Sequence, residues 1–427
     1  MRTLIQDCTY WSEENQLQEG SIGIFQDKIE WIGSKVPEGW VPNHIISGKD
    51  KLALPGFINT HNHAAMVLLR SYADDLVLQE WLEKKIWPIE AKLTGEDVYW
   101  GTQLAVLEML RSGTTTFADM YFFMDEVAKV VEESGIRASL SRGITSFLND
   151  GDKKLRESEQ FFKEWHGKGD GRIEVWHGPH APYTCSPDFL KEVVSSARSL
   201  GMKIHIHLSE TQKEVEDCSK QYGMTPIELM DSIGMFDIHT LAAHCVHLTE
   251  NDMEIIAKKN VQVAHNPGSN LKLASGIAPV PQLLSKGANV ALGTDGASSN
   301  NNLDMLEEMR YAALLHKNNS GDPTIIPATQ ALQMGTENGA RALGLENVGS
   351  LGADKKADIV LFNTQEAHWF PRYNMISTLI YSAQSSDVND VIVNGKILVK
   401  NKEVLTLDRE RIFFEVSKKS SDLIERK

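Results

Sequence analysis

Cysteine is scarce in this chain: four in 427 residues, at Cys8, Cys185, Cys218 and Cys245, with no Cys-x-x-Cys pair. That scatter argues against a disulfide framework and fits a reducing compartment. Basic residues are outnumbered too, with 43 Lys and Arg against 58 Asp and Glu and a formal net charge of −15. A nucleic acid needs a broad basic footprint that this balance does not supply, although a local basic pocket for a small anion stays open. No apolar run reaches the ~18 residues that span a bilayer, and the stretch Met1 to Asn15 lacks the apolar core of a signal peptide. These absences predict a cytoplasmic protein with neither nucleic-acid nor membrane partners. Apolar residues are plentiful at 41%, enough for one large core, although length alone suggests two or three domains.

Between Leu54 and Asp295 short β-rich runs alternate with longer amphipathic stretches. The runs are Leu54–Thr60, Thr114–Met120, Arg137–Ile144, Ile173–His177, Lys203–Leu208, Leu241–Val246, Val261–His265 and Asn289–Thr294. A helix is expected over Thr94–Arg111, with Thr94 and Asp97 as a capping pair and Gly113 as a stop. Eight strands alternating with helices predict an α/β fold, a (β/α)8 TIM barrel over residues 54–349. The ends read differently. Strand-like pieces occur at Ser21–Phe25, Ile29–Ile32, Ala357–Phe362, Asp390–Val393 and Ile397–Val399, with Asn394-Gly395 as a hairpin turn. Residues 1–53 and 350–427 are therefore expected to join into one small β domain. Segment 303–345 reads as helical, with breaks at Asn338-Gly339 or Gly344.

The chemistry-bearing residues fall at the ends of these runs. His61 and His63 directly follow the first, and residues two apart on a strand share a side. His207 ends the fifth run, His244 the sixth and Asp295 the eighth, so all converge on the C-terminal mouth where TIM-barrel sites lie. A lone strand-end histidine is more often a core residue, and Asp-Gly is often only a turn. Four coincidences favour a metal site made of His61, His63, His207 and Asp295, suited to Zn²⁺ with Fe²⁺ or Mn²⁺ as competitors.

With these residues in view, the chain resembles the amidohydrolase superfamily, and within it the 5′-methylthioadenosine/S-adenosylhomocysteine deaminases. The resemblance covers nearly the whole chain. Its marks are Pro55-Gly-Phe-Ile-Asn-Thr-His61-Asn-His63, His205-Ile-His207-Leu-Ser-Glu210, His244-Cys-Val-His247 and Gly-Thr-Asp295-Gly. The His207-x-x-Glu210 spacing narrows the family to ring deaminases and their near relatives. Binuclear relatives carry a bridging lysine on the fourth strand; Glu174-Val-Trp-His177-Gly-Pro-His180 has none, which implies one divalent metal.

The resemblance implies a hydrolytic deaminase of an adenosine-type nucleoside. A divalent ion supplies a water nucleophile at neutral pH. Asp295 accepts that water's proton, Glu210 protonates the ring nitrogen and then the departing amine, and His244 stabilises the developing oxygen. Glu90, Trp81, Arg142 and His180 match the family's substrate-contact positions. Glu90 would hold ribose hydroxyls, and Arg142 the carboxylate of a homocysteine tail. Their duller readings are a helix cap for Glu90, a core residue for Trp81 and a structural ion pair for Arg142. Leu76–Glu90 is expected to fold over the mouth as a lid. Lys153 and Lys154 read first as a solvated loop and second as added positive charge near the tail, and His205 reads as structural; His247 and His265 can donate behind the ligands. Two alternatives stay open: a deaminase or chlorohydrolase of a free base or triazine ring, and a catalytically silent ligand-binding barrel. Related enzymes often self-associate, so a homo-oligomer is compatible, but no interface is marked.

Overall fold

In the computed structural model, which describes residues 2–146 and 150–426, eight strands pair in parallel and in chain order. They are β1 (Phe57–Asn62), β2 (Thr114–Tyr121), β3 (Arg137–Ile144), β4 (Ile173–Pro179), β5 (Ile204–Leu208), β6 (Thr240–His244), β7 (Gln262–His265) and β8 (Val290–Leu292). With helices between them, they form the expected (β/α)8 barrel. The ring closes where β8 meets β1. Thr60 Oγ1 donates to Leu292 O at 2.8 Å, Thr294 N to Asn59 Oδ1 at 3.0 Å, and Asp295 N to His61 O at 2.9 Å.

One end of the barrel is plugged. The helix Glu337–Leu343 sets Ala340, Ala342 and Leu343 against Ile58, Trp176, Leu241 and Ala264. Ile58 N donates to Gly335 O at 2.9 Å, so the plug sits at the N-terminal ends of the strands. Only the C-terminal mouth is left for chemistry. The segment 303–345 is helical as expected, and of the two candidate breaks Gly344 is the cap, with φ 67, whereas Asn338 lies inside its helix.

Both ends of the chain build a second, nine-stranded sheet. On its strands Lys51–Pro55, Ile359–Asn363 and Val388–Val393, residues Leu52, Leu54, Val360, Phe362, Val391 and Val393 join the barrel's core. Ala53, Ile359, Leu361 and Ile392 instead face a separate core with Ile5, Ile22 and Ile24. The two-residue period of a strand thus divides one sheet between two apolar environments. Arg137, at the start of β3, donates to Asp358 Oδ2 at 2.8 Å across the seam between barrel and sheet. Asn394-Gly395 makes the expected hairpin with φ 50 and 74, the signs a type I′ turn requires.

The first run, read from sequence as one strand Leu54–Thr60, is two. Leu54 and Pro55 pair with Val360 and Ile359 in the second sheet, and the barrel strand starts at Phe57. Gly56 makes the break, since a Cβ there would lie 2.2 Å from the Thr115 side chain. The sequence pattern does not announce several elements of the chain ends, among them the strand Arg2–Trp11 and the helix Arg409–Glu425. A register shift between Ile5 and Cys8 breaks the strand's alternation, and the helix buries few apolar residues, Ile412 and Leu423 among them. The helix Gly95–Arg111 begins on the expected Thr94–Asp97 capping box. Among the described residues no helix is long and apolar enough to cross a membrane.

Candidate active site

The mouth gathers the expected residues. β1 carries His61 and leads directly into His63, β5 carries His207, β6 ends on His244, and Asp295 follows shortly after β8. His244 and Asp295 both occupy left-handed backbone, with φ 72 and 59, which non-glycine residues hold only where the surrounding fold demands it. A Cβ on Gly293 would lie 2.7 Å from His61 N, so only glycine lets β8 press this close to the His61 backbone.

Each imidazole is aimed by its far nitrogen. His63 Nδ1 lies 2.6 Å from Met120 O, and His207 Nδ1 lies 2.8 Å from His180 O. A carbonyl only accepts, so both Nδ1 atoms carry a proton, and in the neutral form of either ring Nε2 keeps a lone pair. His61 Nδ1 meets His205 Nε2 at 2.8 Å, which leaves His61 Nε2 buried and without a hydrogen-bond partner. The Nε2 atoms of His63 and His207 are 3.4 Å apart, and Asp295 Oδ1 lies 3.4 and 3.2 Å from Nε2 of His61 and His63. The other oxygen of Asp295 accepts from Ser269 at 2.6 Å and Ser299 at 2.8 Å, which orients the carboxylate.

Lone pairs this close repel, and a buried nitrogen without a partner is costly. A divalent cation among them answers both problems, and three imidazoles with one carboxylate suit such an ion. Ligand-capable atoms of His61, His63 and Asp295 lie within 4.8 Å of one another, as do those of His61, His207 and His244. Burial lowers His61 to about 4 and holds His207 well below the ordinary imidazole range, so both are neutral, the state in which histidine ligates. At His63 burial acts the same way, but the bond to Asp295 outweighs it and raises the group to about 9. A cation in the cluster competes with that proton for Nε2.

Around the cluster stand the groups expected to handle substrate. Glu210 Oε2 is 3.8 Å from His244 Nε2, and burial raises its carboxyl above the usual range. His244 Nδ1 lies 2.9 Å from Asn270 Oδ1. Residues 78–90 form one helical stretch that ends on Glu90, which accepts from Tyr121 Oη at 2.6 Å. The Tyr121 ring centre lies 6.3 Å from that of His63, and burial raises Glu90 to about 7. The His180 ring lies 4.8 Å from that of His207, and burial together with neighbouring imidazoles lowers it to about 3. Two expected contacts have other neighbours. Trp81 is buried in the apolar core, with its indole Nε1 lacking a hydrogen-bond partner. Arg142 is ion-paired with Glu157 on the helix Gly151–Trp165.

His205, read from sequence as structural, is the direct partner of His61. The signal was present, because His205 and His207 share a strand face. Tyr121, Ser269, Ser299 and Asn270 were missed, and small polar or aromatic residues far off in sequence carry no signal of such a role. His247 does stand behind the site: its Nε2 lies 2.6 Å from Ser275 O, and Ser275 Oγ lies 3.5 Å from Glu210 Oε1.

A model of the amidohydrolase family matches residues 52–398. A 5-methylthioadenosine/S-adenosylhomocysteine deaminase of Moorella thermoacetica is 53% identical across 98% of this chain and 99% of its own. One from Dictyoglomus thermophilum is 51% identical over 100% of both. An adenosine deaminase of Xanthomonas campestris, solved with bound zinc, superposes with a TM-score of 0.94 at 34% identity over 99% of each chain. Atrazine chlorohydrolase of Arthrobacter aurescens, complexed with zinc, superposes with a TM-score of 0.91 at 24% identity over 98% of this chain and 100% of that one, a likeness of fold alone.

Proposed function

The chain belongs to the amidohydrolase family, and we propose that it hydrolyses the 6-amino group of adenosine-type nucleosides, giving the inosine-type product and ammonia. The substrates meant are S-adenosylhomocysteine, 5′-methylthioadenosine and adenosine. The observation that carries the reading is the juxtaposition of a cation-ready cluster with a protonatable carboxyl, Glu210 Oε2 standing 3.8 Å from His244 Nε2. Family and donor set support a divalent metal, and we take it to be a single Zn²⁺, since β4 carries no lysine to bridge a second ion. All four cysteines are buried and unbridged, which fits a cytoplasmic enzyme.

A divalent ion held by His61, His63, His207 and Asp295 would lower the pKa of a water toward neutrality and ready it for attack. The remaining work falls to side chains. Asp295 takes the proton that the water sheds as it bonds to the ring carbon. Glu210, its protonated form favoured by burial, donates to the adjacent ring nitrogen and so converts a poor aromatic electrophile into a competent one. His244, its ring held from behind by Asn270, hydrogen-bonds the oxygen as charge develops. A proton then returns through the carboxylates to the amine, which leaves as ammonia. His180 and the unpartnered indole N–H of Trp81 supply further substrate contacts.

Glu90, oriented by Tyr121, accepts from the two ribose hydroxyls. Glu90→Ala is expected to lower kcat/KM on methylthioadenosine about 30-fold, the scale of one or two charge-assisted hydrogen bonds. The 2′,3′-dideoxy analogue should lose little, and equal losses on both nucleosides would remove Glu90 from ribose recognition.

The direct test is ammonia release from S-adenosylhomocysteine, methylthioadenosine, adenosine, guanine and cytosine, before and after chelation. Release from the adenosine-type compounds should stop with the chelator and return with Zn²⁺. Turnover of a free base alone would keep the metal site and replace the substrate class.

A further inference from the structure

Arg142 stands at the mouth end of β3, in register with Tyr121 of β2. Tyr121 is the residue that holds Glu90, so Arg142 is one strand away from the proposed ribose position. Phe122, the residue after Tyr121, is 37% exposed, with its ring 5.2 Å from that of Tyr121. A side chain on Gly143, next to Arg142, would meet Phe122 Cε1 at 3.7 Å. A 5′ tail leaving the ribose toward β3 therefore crosses an exposed aromatic face, a suitable bed for a thioether sulfur, before it reaches Arg142.

At that point the tail meets two charges of opposite sign. Arg142 Nη2 contacts Glu157 Oε2, and the two side chains are 24% and 38% exposed. An ion pair this exposed is weak and opens readily. Its partners come from different elements, the end of β3 and the helix Gly151–Trp165. Lys154 is engaged separately: its Nζ lies 2.8 Å from Thr145 Oγ1 and 3.0 Å from Asp150 Oδ2. Lys153 Nζ is a distant 3.8 Å from Glu157 Oε1.

On the deaminase reading above, with Arg142 taking the tail carboxylate as the family resemblance implies, we propose that Glu157 completes a clamp for the zwitterionic end of an amino-acid tail. The guanidinium binds the carboxylate, and Glu157 accepts from the ammonium. An α-amino acid carries its two charged groups on one carbon, so it can slip between an arginine and a glutamate that already stand side by side. It replaces one direct ion pair with two. A neutral methylthio tail ends short of the clamp and leaves the Arg142–Glu157 pair closed. A tail with a carboxylate but no ammonium gains nothing, since it must evict Glu157 to reach Arg142. Glu157 is thus a specificity-determining residue that sets the preference between S-adenosylhomocysteine and methylthioadenosine.

The test compares Glu157→Gln with the wild type on three nucleosides: S-adenosylhomocysteine, methylthioadenosine, and the homocysteine-tail analogue that lacks the amino group. The ratio of kcat/KM for S-adenosylhomocysteine over methylthioadenosine should fall about fivefold in the variant, the upper range for an exposed pair. The ratio for the carboxylate-only analogue over methylthioadenosine should rise, because its competitor is gone. Taking each ratio within the same protein cancels any general loss from misfolding. A rise in the S-adenosylhomocysteine ratio would mean that Glu157 only competes for Arg142, and equal changes on all three nucleosides would make the pair structural. Either result overturns the clamp. Failure of the wild type to release ammonia from any of the three would instead overturn the deaminase reading itself.

Discussion

Asp295→Asn is expected to cut kcat by about a thousandfold or more, the scale of losing a positioned proton acceptor at a metal-assisted hydrolysis. The substitution is nearly isosteric. Ser269 and Ser299 can still hold the oxygen they now donate to at 2.6 and 2.8 Å, so the loop should keep its place. The amide loses basicity: it cannot take the proton from the attacking water, and to a divalent ion shared with His61 and His63 it would be a weaker, uncharged ligand. Metal content per chain, measured beside single-turnover kinetics, separates the two roles. Lost metal assigns Asp295 mainly to binding, and retained metal with lost turnover assigns it to proton transfer. Activity within tenfold of wild type at full metal occupancy would sink both.

Glu210→Gln should cost a similar factor, about 10²–10⁴ in kcat, with metal content unchanged. Burial raises this carboxyl above its ordinary range, the direction an acid needs if it is to be protonated near neutral pH. The sign follows from that. The acid works in its protonated form, so activity is present below the pKa of Glu210 and is lost as pH rises through it. The wild type should therefore show an alkaline limb in its kcat profile that the glutamine variant lacks. A variant that kept this limb, or lost only KM, would show Glu210 binding substrate without moving protons.

Much of this site was legible in sequence because its signals are local. His61 and His63 share a face by the two-residue period of a strand, and the run-and-helix alternation between Leu54 and Asp295 implies a barrel whose strand ends converge. The capping box at Thr94 and Asp97 and the hairpin at Asn394-Gly395 are likewise written within a few residues. The misreadings have physical causes too. Gly56 divides what looked like one strand between two sheets, because room for a Cβ beside Thr115 is a tertiary property. A bulge after Ile5 hid the alternation of the strand Arg2–Trp11.

Strand period and the strand–helix pattern, both short-range, were enough to determine the barrel, its second sheet, and the face on which histidines and carboxylates would meet. Only the tertiary structure decided how those side chains are held. His205 braces His61 across 144 residues, Tyr121 orients Glu90 across 31, and Ser269 fixes Asp295 across 26. The same holds for Arg142, whose ion pair with Glu157 exists only because the helix Gly151–Trp165 packs beside the end of β3. The reason is physical. Periodicity constrains the direction of a side chain relative to its own backbone, whereas a hydrogen bond between distant segments depends on how the intervening chain packs.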